Sequence, residues 1–96
     1  GLGAFEGIRS YETTNGIKLF KAKEHFERLK LSCQKINLPF NWDTKELIRD
    51  TYTLLEQNNL KNAYIRPIVY SGSGMDMVTS TDSSLVIMAC LPIKIL

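Results

Sequence analysis

Ninety-six residues allow one domain, with a core that buries on the order of 60–70% of the unfolded surface. Hydrophobic residues at 44% and charged residues at 23% are ordinary for a soluble globular domain. A net charge of +2 is too small to argue for nucleic acid, one histidine and two distant cysteines fall short of a metal ligand set, and no apolar run reaches membrane-spanning length.

The opening residues do not read as a signal peptide, and none is expected. Cys33 and Cys90 both sit in apolar company, so buried free thiols are expected, in a reducing compartment such as the cytoplasm. The chain starts abruptly at Gly1-Leu2-Gly3-Ala4 and ends on the apolar Pro92-Ile93-Lys94-Ile95-Leu96. Termini of complete small domains are usually polar and at the surface, so a fragment of a longer protein is expected.

Ala4 to Tyr11 reads as a strand, and Gly3 and Gly7 suggest a bulge or the close approach of another group. Thr13-Thr14-Asn15-Gly16 is a hairpin turn, and Ile17 to Phe20 returns. Ala22 to Ile36 is an amphipathic helix: Ala22, Phe26, Leu29, Cys33 and Ile36 form its apolar stripe, with His25 and Arg28 beside it. Asn37-Leu38-Pro39 ends it, because the residue before a proline avoids the α region. Asp43-Thr44 caps a second helix that runs to about Gln57, buries Leu47, Ile48, Leu54 and Leu55, and stops at Asn58-Asn59. Ala63 to Tyr70 alternates as a strand, a loop covers Ser71 to Asp82, and Ser84 to Leu91 is apolar enough to read as a buried central strand. The order predicts an α+β fold, a mainly antiparallel sheet with two helices packed on one face.

Few residues are arranged for chemistry. Ser32, His25 and Asp43 make a triad only on paper, with no nucleophile elbow. His25, beside an apolar stripe, is better read as a structural hydrogen-bonder. Gly72-Ser73-Gly74 matches neither a Rossmann nor a P-loop pattern. Lys18, Lys21, Lys23, Arg28, Lys30 and Lys35 are interrupted by Glu24 and Glu27 and read as a solvated face with room for one anion site. Tyr64 and Arg66, two apart on a strand, project side by side. On spacing alone they are an ordinary polar couple; as a phenol beside a planar fork they also form an anion receptor.

Gly3-Ala4-Phe5-Glu6-Gly7-Ile8-Arg9-Ser10-Tyr11, Glu24-His25-Phe26-Glu27-Arg28-Leu29 and Ala63-Tyr64-Ile65-Arg66-Pro67 together resemble the N-terminal small domain of branched-chain amino-acid aminotransferases, fold type IV pyridoxal-phosphate enzymes. The resemblance covers nearly the whole chain, residues 1–96. The Glu-His-x-x-Arg-Leu pattern is shared across the fold type, whereas Phe-Glu-Gly-Ile-Arg with Ala-Tyr-Ile-Arg-Pro is more specific to branched-chain members. It implies that Arg28 holds the phosphate of pyridoxal 5'-phosphate. It makes Phe5 a wall of the substrate pocket, sets Tyr64 near the substrate α-carboxylate, and lets Arg66 receive the side-chain carboxylate of glutamate or 2-oxoglutarate. Met75 and Met77 match a loop that reaches the neighbouring subunit in a homodimer or higher homo-oligomer. Gly7 and Arg9 match the motif in structural roles.

The lysine that forms the Schiff base comes from a C-terminal domain in this family, and no lysine here matches it. No catalytic residue is therefore assigned, and this stretch alone is expected to be inactive and not to hold the cofactor. The whole enzyme would move an amino group between leucine, isoleucine or valine and 2-oxoglutarate, with no nucleic-acid or membrane partner. The alternatives are a D-amino-acid aminotransferase or aminodeoxychorismate lyase of the same fold type, or a stand-alone anion-binding or dimerisation module.

Overall fold

The computed structural model describes residues 2–71 and 82–92. Among these the order is β1 (Gly3–Phe5), β2 (Ile8–Thr13), β3 (Gly16–Leu19), α1 (Ala22–Lys35), α2 (Thr44–Gln57), β4 (Tyr64–Ser71) and β5 (Ser83–Cys90). β4 is the hub of a five-stranded antiparallel sheet: it pairs with β1, β2 and β5, and β3 joins through β2.

The single strand expected over residues 4–11 is broken in two. β1 and β2 nevertheless run along β4 in one register, with Phe5 opposite Ile68 and Ile8 opposite Ile65. The interruption at Glu6 and Gly7 lies across from Arg66 and Pro67. Proline has no amide hydrogen, so the ladder there runs only one way: the Glu6 N–H donates to the Pro67 carbonyl at 3.1 Å. The β2–β3 hairpin closes at Thr13 opposite Gly16, and Gly16 takes the positive φ of 101°.

Both helices end by the same device. Asn37 and Asn59 adopt the left-handed conformation, with φ of 56° and 53°. The next residues, Leu38 and Leu60, donate their N–H groups back to Cys33 and Leu55 at 2.8 and 2.9 Å. This is the Schellman arrangement, with a leucine folded back onto the last turn. It adds a mechanism to the proline effect at the end of α1. The Asp43 cap accepts from the Lys45 N–H at 3.3 Å.

The stripe of α1 buries Ala22, Phe26, Leu29 and Cys33. α2 buries Leu47, Thr51 and Leu55, while Ile48 and Leu54, expected inside, are only half-buried. Thr51 takes a core position because its hydroxyl donates to the Leu47 carbonyl at 2.7 Å, which satisfies it within the helix. These side chains meet Ala4, Ile8, Ile65 and Val69 of the sheet in one core, so both helices cover the same sheet face.

That one-sidedness overturns two expectations. β5 is not a strand buried on both faces: it alternates half-buried and exposed residues, and among the described residues it pairs only with β4. Ser84, Val86, Met88 and Cys90 face away from the helices, so Cys90 is an exposed thiol. Cys33 is buried as expected, and burial pushes its thiol pKa up. Met75, Met77 and the segment after Pro92 lie outside the described residues.

Candidate functional site

β4 builds the site by its two-residue period. Ile65, Pro67 and Val69 turn into the core, so Tyr64, Arg66, Ile68 and Tyr70 must face the other way. Register then sets their neighbours on that face: Cys90 opposite Tyr64, Met88 opposite Arg66, Val86 and Phe5 on either side of Ile68, and Arg9 beside Tyr64.

The expected pair forms. Arg66 Nη2 donates to the Tyr64 hydroxyl at 2.7 Å. The guanidinium lies 4.6 Å from the Phe5 ring centre and 5.5 Å from that of Tyr64. Stacking on Phe5 orients the planar fork while the ring itself stays 61% exposed. A shallow open depression beside the pair is lined by Tyr64, Arg66, Met88, Ala89 and Cys90. Its floor is apolar, and among the described residues Arg66 is the one charged group that lines it. Such a surface can seat a hydrophobic side chain and, at one end, a carboxylate.

Two small residues make this possible. A Cβ on Gly7 would collide with the Tyr64 hydroxyl, so the missing side chain is the space in which Tyr64 lies. Ser10, fully buried, fastens β2 to the residue before Tyr64. Its Oγ accepts from the Ala63 N–H at 2.9 Å and donates to the Lys61 carbonyl at 2.8 Å.

Arg28 is placed differently. It stands on α1, on the helix side of the sheet, and engages Glu6. Nε donates to Oε1 at 2.5 Å and Nη2 to Oε2 at 2.8 Å. His25 Nδ1 approaches Oε2 at 3.0 Å, and the carboxylate offers only acceptors, so Nδ1 carries the proton. The Arg28 fork is the main cause that holds the Glu6 carboxyl below the usual carboxylate range; burial opposes it and His25 adds to it. The same bond raises the Arg28 pKa further. Phe5, Tyr64 and Arg66 are thus brought together, and Arg28 joins them only through the Phe5–Glu6 peptide. Glu6 is the residue that sequence reasoning missed. It is the only acid among the first eleven residues, and the helix places a histidine and an arginine three apart, one turn, where both can reach it.

A sheet with helices on one face and a bonded arginine–tyrosine pair in apolar surroundings on the other defines an α+β domain. The chain belongs to the amino-transferase class IV family, which it matches over residues 3–94. It is 38% identical to the branched-chain-amino-acid aminotransferase of Pseudomonas aeruginosa over 83% of this chain and 26% of that protein. It is 41% identical to the probable branched-chain-amino-acid aminotransferase of Rickettsia felis, again over 83% and 26%. Among solved structures, the Escherichia coli branched-chain amino acid aminotransferase superposes with a TM-score of 0.82 at 31% identity, over 95% of this chain and 32% of that one. The branched-chain amino acid aminotransferase of Thermobaculum terrenum, in its PLP-form, gives 0.80 at 26% identity, over 96% and 32%. The chain therefore spans between a quarter and a third of the length of these relatives.

Proposed function

We propose that this chain is the small domain of a pyridoxal-phosphate-dependent branched-chain aminotransferase, which moves the amino group between leucine, isoleucine or valine and 2-oxoglutarate. The observation that carries this is the Arg66 fork stacked on Phe5 and bonded to Tyr64 at the end of an apolar depression. Leucine-like side chains lie against Phe5 and Met88. The glutamate side chain reaches Arg66, so each substrate leaves few buried groups unpaired. Tyr64 orients the substrate near its α-carboxylate. Met75 and Met77 contribute to substrate binding from the loop they occupy.

The residues fit the cofactor at its phosphate. Arg28 keeps its side chain 66% exposed while one edge of its fork is held by Glu6, so an oriented cation faces outward. Pyridoxal phosphate, when bound, supplies an electron sink at the substrate α-carbon. This chain's part is to bind and orient; it holds no catalytic residue, and alone it is inactive and does not retain the cofactor. The active protein is a homodimer or higher homo-oligomer in the cytoplasm, and a C-terminal domain supplies the lysine. No helix among the described residues is long and apolar enough to cross a membrane.

The test is amino transfer by the full-length protein. Transfer from L-leucine to 2-oxoglutarate without consumption of D-alanine is expected. D-alanine consumption without L-leucine transfer would assign the D-amino-acid chemistry instead, and an open reading frame that stops at Leu96 would leave a binding module. Turnover of leucine by the 96-residue chain alone would overturn the division of labour.

A further inference from the structure

Arg28 is an exposed, long side chain, and an exposed arginine ordinarily samples many rotamers. Here it does not stand free. The Glu6 carboxylate is only 7% exposed, and three donors fix its plane: Arg28 Nε on Oε1, with Arg28 Nη2 and His25 Nδ1 on Oε2. The backbone under it is fixed as well, by the Glu6 N–H on the Pro67 carbonyl. Of the five guanidinium N–H groups, Glu6 takes one from Nε and one from Nη2. That leaves three, two on Nη1 and one on Nη2, of which one from each nitrogen points out together from the Nη1–Nη2 end of the fork, away from Glu6; Nη2 also lies 3.5 Å from His25 Nδ1.

We propose that Glu6 is the positioning residue of the phosphate site: it holds one edge of the Arg28 fork so that the other edge is presented, already oriented, to the phosphate of the cofactor. This rests on the reading of Arg28 as the phosphate ligand. The same tripeptide, Phe5-Glu6-Gly7, then sets both halves of the site. Phe5 stacks on Arg66 on the open face, Gly7 leaves room for Tyr64, and Glu6 between them reaches to the helix side and orients Arg28. Glu6 stays ionised for this task because the Arg28 fork and His25 outweigh the effect of its burial, which keeps its carboxyl below the usual range. A neutral glutamine at this place offers one oxygen in place of two. It cannot grip the fork side-on, and its amide turns a donor toward either Arg28 or His25.

The experiment is cofactor binding to the full-length apoprotein, titrated with pyridoxal phosphate and, separately, with pyridoxal, which lacks the phosphate. Glu6→Gln is expected to weaken pyridoxal phosphate about tenfold, the scale on which outer support of a binding group matters, and to leave pyridoxal within about twofold. Arg28→Met should weaken pyridoxal phosphate at least as much. The double variant should bind no worse than Arg28→Met, because Glu6 acts only through Arg28. Where Glu6→Gln does not yield folded protein, Glu6→Asp, which keeps the charge but shortens the reach, is titrated in the same way and also loses the phosphorylated ligand selectively. Equal effects of the Glu6 variants on both ligands, or none on either, while Arg28→Met remains selective for pyridoxal phosphate, overturn the positioning role and leave Arg28 as phosphate ligand. An Arg28→Met protein that binds pyridoxal phosphate normally overturns both.

Discussion

Arg66→Met in the full-length protein is expected to separate the two proposed substrate classes. Methionine keeps an unbranched stem against the Phe5 ring and removes the charge and the fork. For 2-oxoglutarate the loss is that of a carboxylate whose cationic partner has gone, about 2–5 kcal/mol. At about 1.4 kcal/mol per decade, kcat/KM for 2-oxoglutarate should fall roughly 30-fold to several thousand-fold. For leucine the variant loses mainly the stacking of guanidinium on Phe5 across 4.6 Å, worth about 0.5–1 kcal/mol, so its kcat/KM should change by no more than about fivefold. The assay is each half-reaction run separately with leucine and with 2-oxoglutarate. Equal losses on both would show that Arg66 only holds Tyr64 in place, and would refute its role as a carboxylate receptor.

Gly7→Ala puts a methyl where the Tyr64 hydroxyl lies and should cost about 1–3 kcal/mol of stability. Tyr64→Phe in that background should restore most of it, and strict additivity in the double-mutant cycle would show that the two do not meet. Ser10→Ala strips the buried Ala63 N–H of its acceptor and should cost about 1–3 kcal/mol in denaturant unfolding; a loss under about 0.5 kcal/mol would mean that water replaces the hydroxyl. Glu6 has a lowered carboxyl pKa, so its ion pair stabilises the folded state fully above the unfolded carboxylate pKa of about 4.3 and loses that contribution as pH falls through the lower folded value. The thermal midpoints of the wild type and Glu6→Gln should therefore converge on acidification. Because Arg28 is two-thirds exposed, solvent screening keeps the gap above that range small; a gap that widens in acid would mean that the carboxyl is not ionised there.

Most of the fold was legible because local rules and tertiary packing agree. The stripe Ala22–Phe26–Leu29–Cys33 and the alternation of β4 each follow one period, and both landed as expected. The Ser84–Leu91 run did not. Its apolar residues look alike from the sequence, yet half of them face away from the helices, and one strand cannot report whether its second face is covered. Cys90 followed that error. Glu6 was missed for a related reason: its role is defined by two residues of α1 that lie nineteen and twenty-two positions away, and no local period connects them. Pro67 hid its consequence too. A proline inside a strand pattern is visible, but which partner loses its ladder bond depends on register, and register placed the gap at Glu6 and Gly7.

The two arginines sit in opposite electrostatic situations, and that divides their tasks. Arg28 is gripped by a carboxylate, so its charge is largely balanced, and in the proposed phosphate role its value would lie in orientation and in the N–H groups left over. Arg66 is held by a hydroxyl and two aromatic faces, which orient the guanidinium without cancelling its charge. Among the described residues no acid lines the depression beside Arg66, so an anion arriving there would meet a cation on an apolar floor, where its interaction is screened less than in open water. On the same reading, a leucine-like side chain at this place would meet the apolar lining beside Met88 and brings no polar group to leave unpaired. On the proposed reading, holding the cation with neutral groups is what would let one pocket take both side chains: a carboxylate partner for Arg66 would repel the glutamate side chain and leave only the apolar half of the specificity.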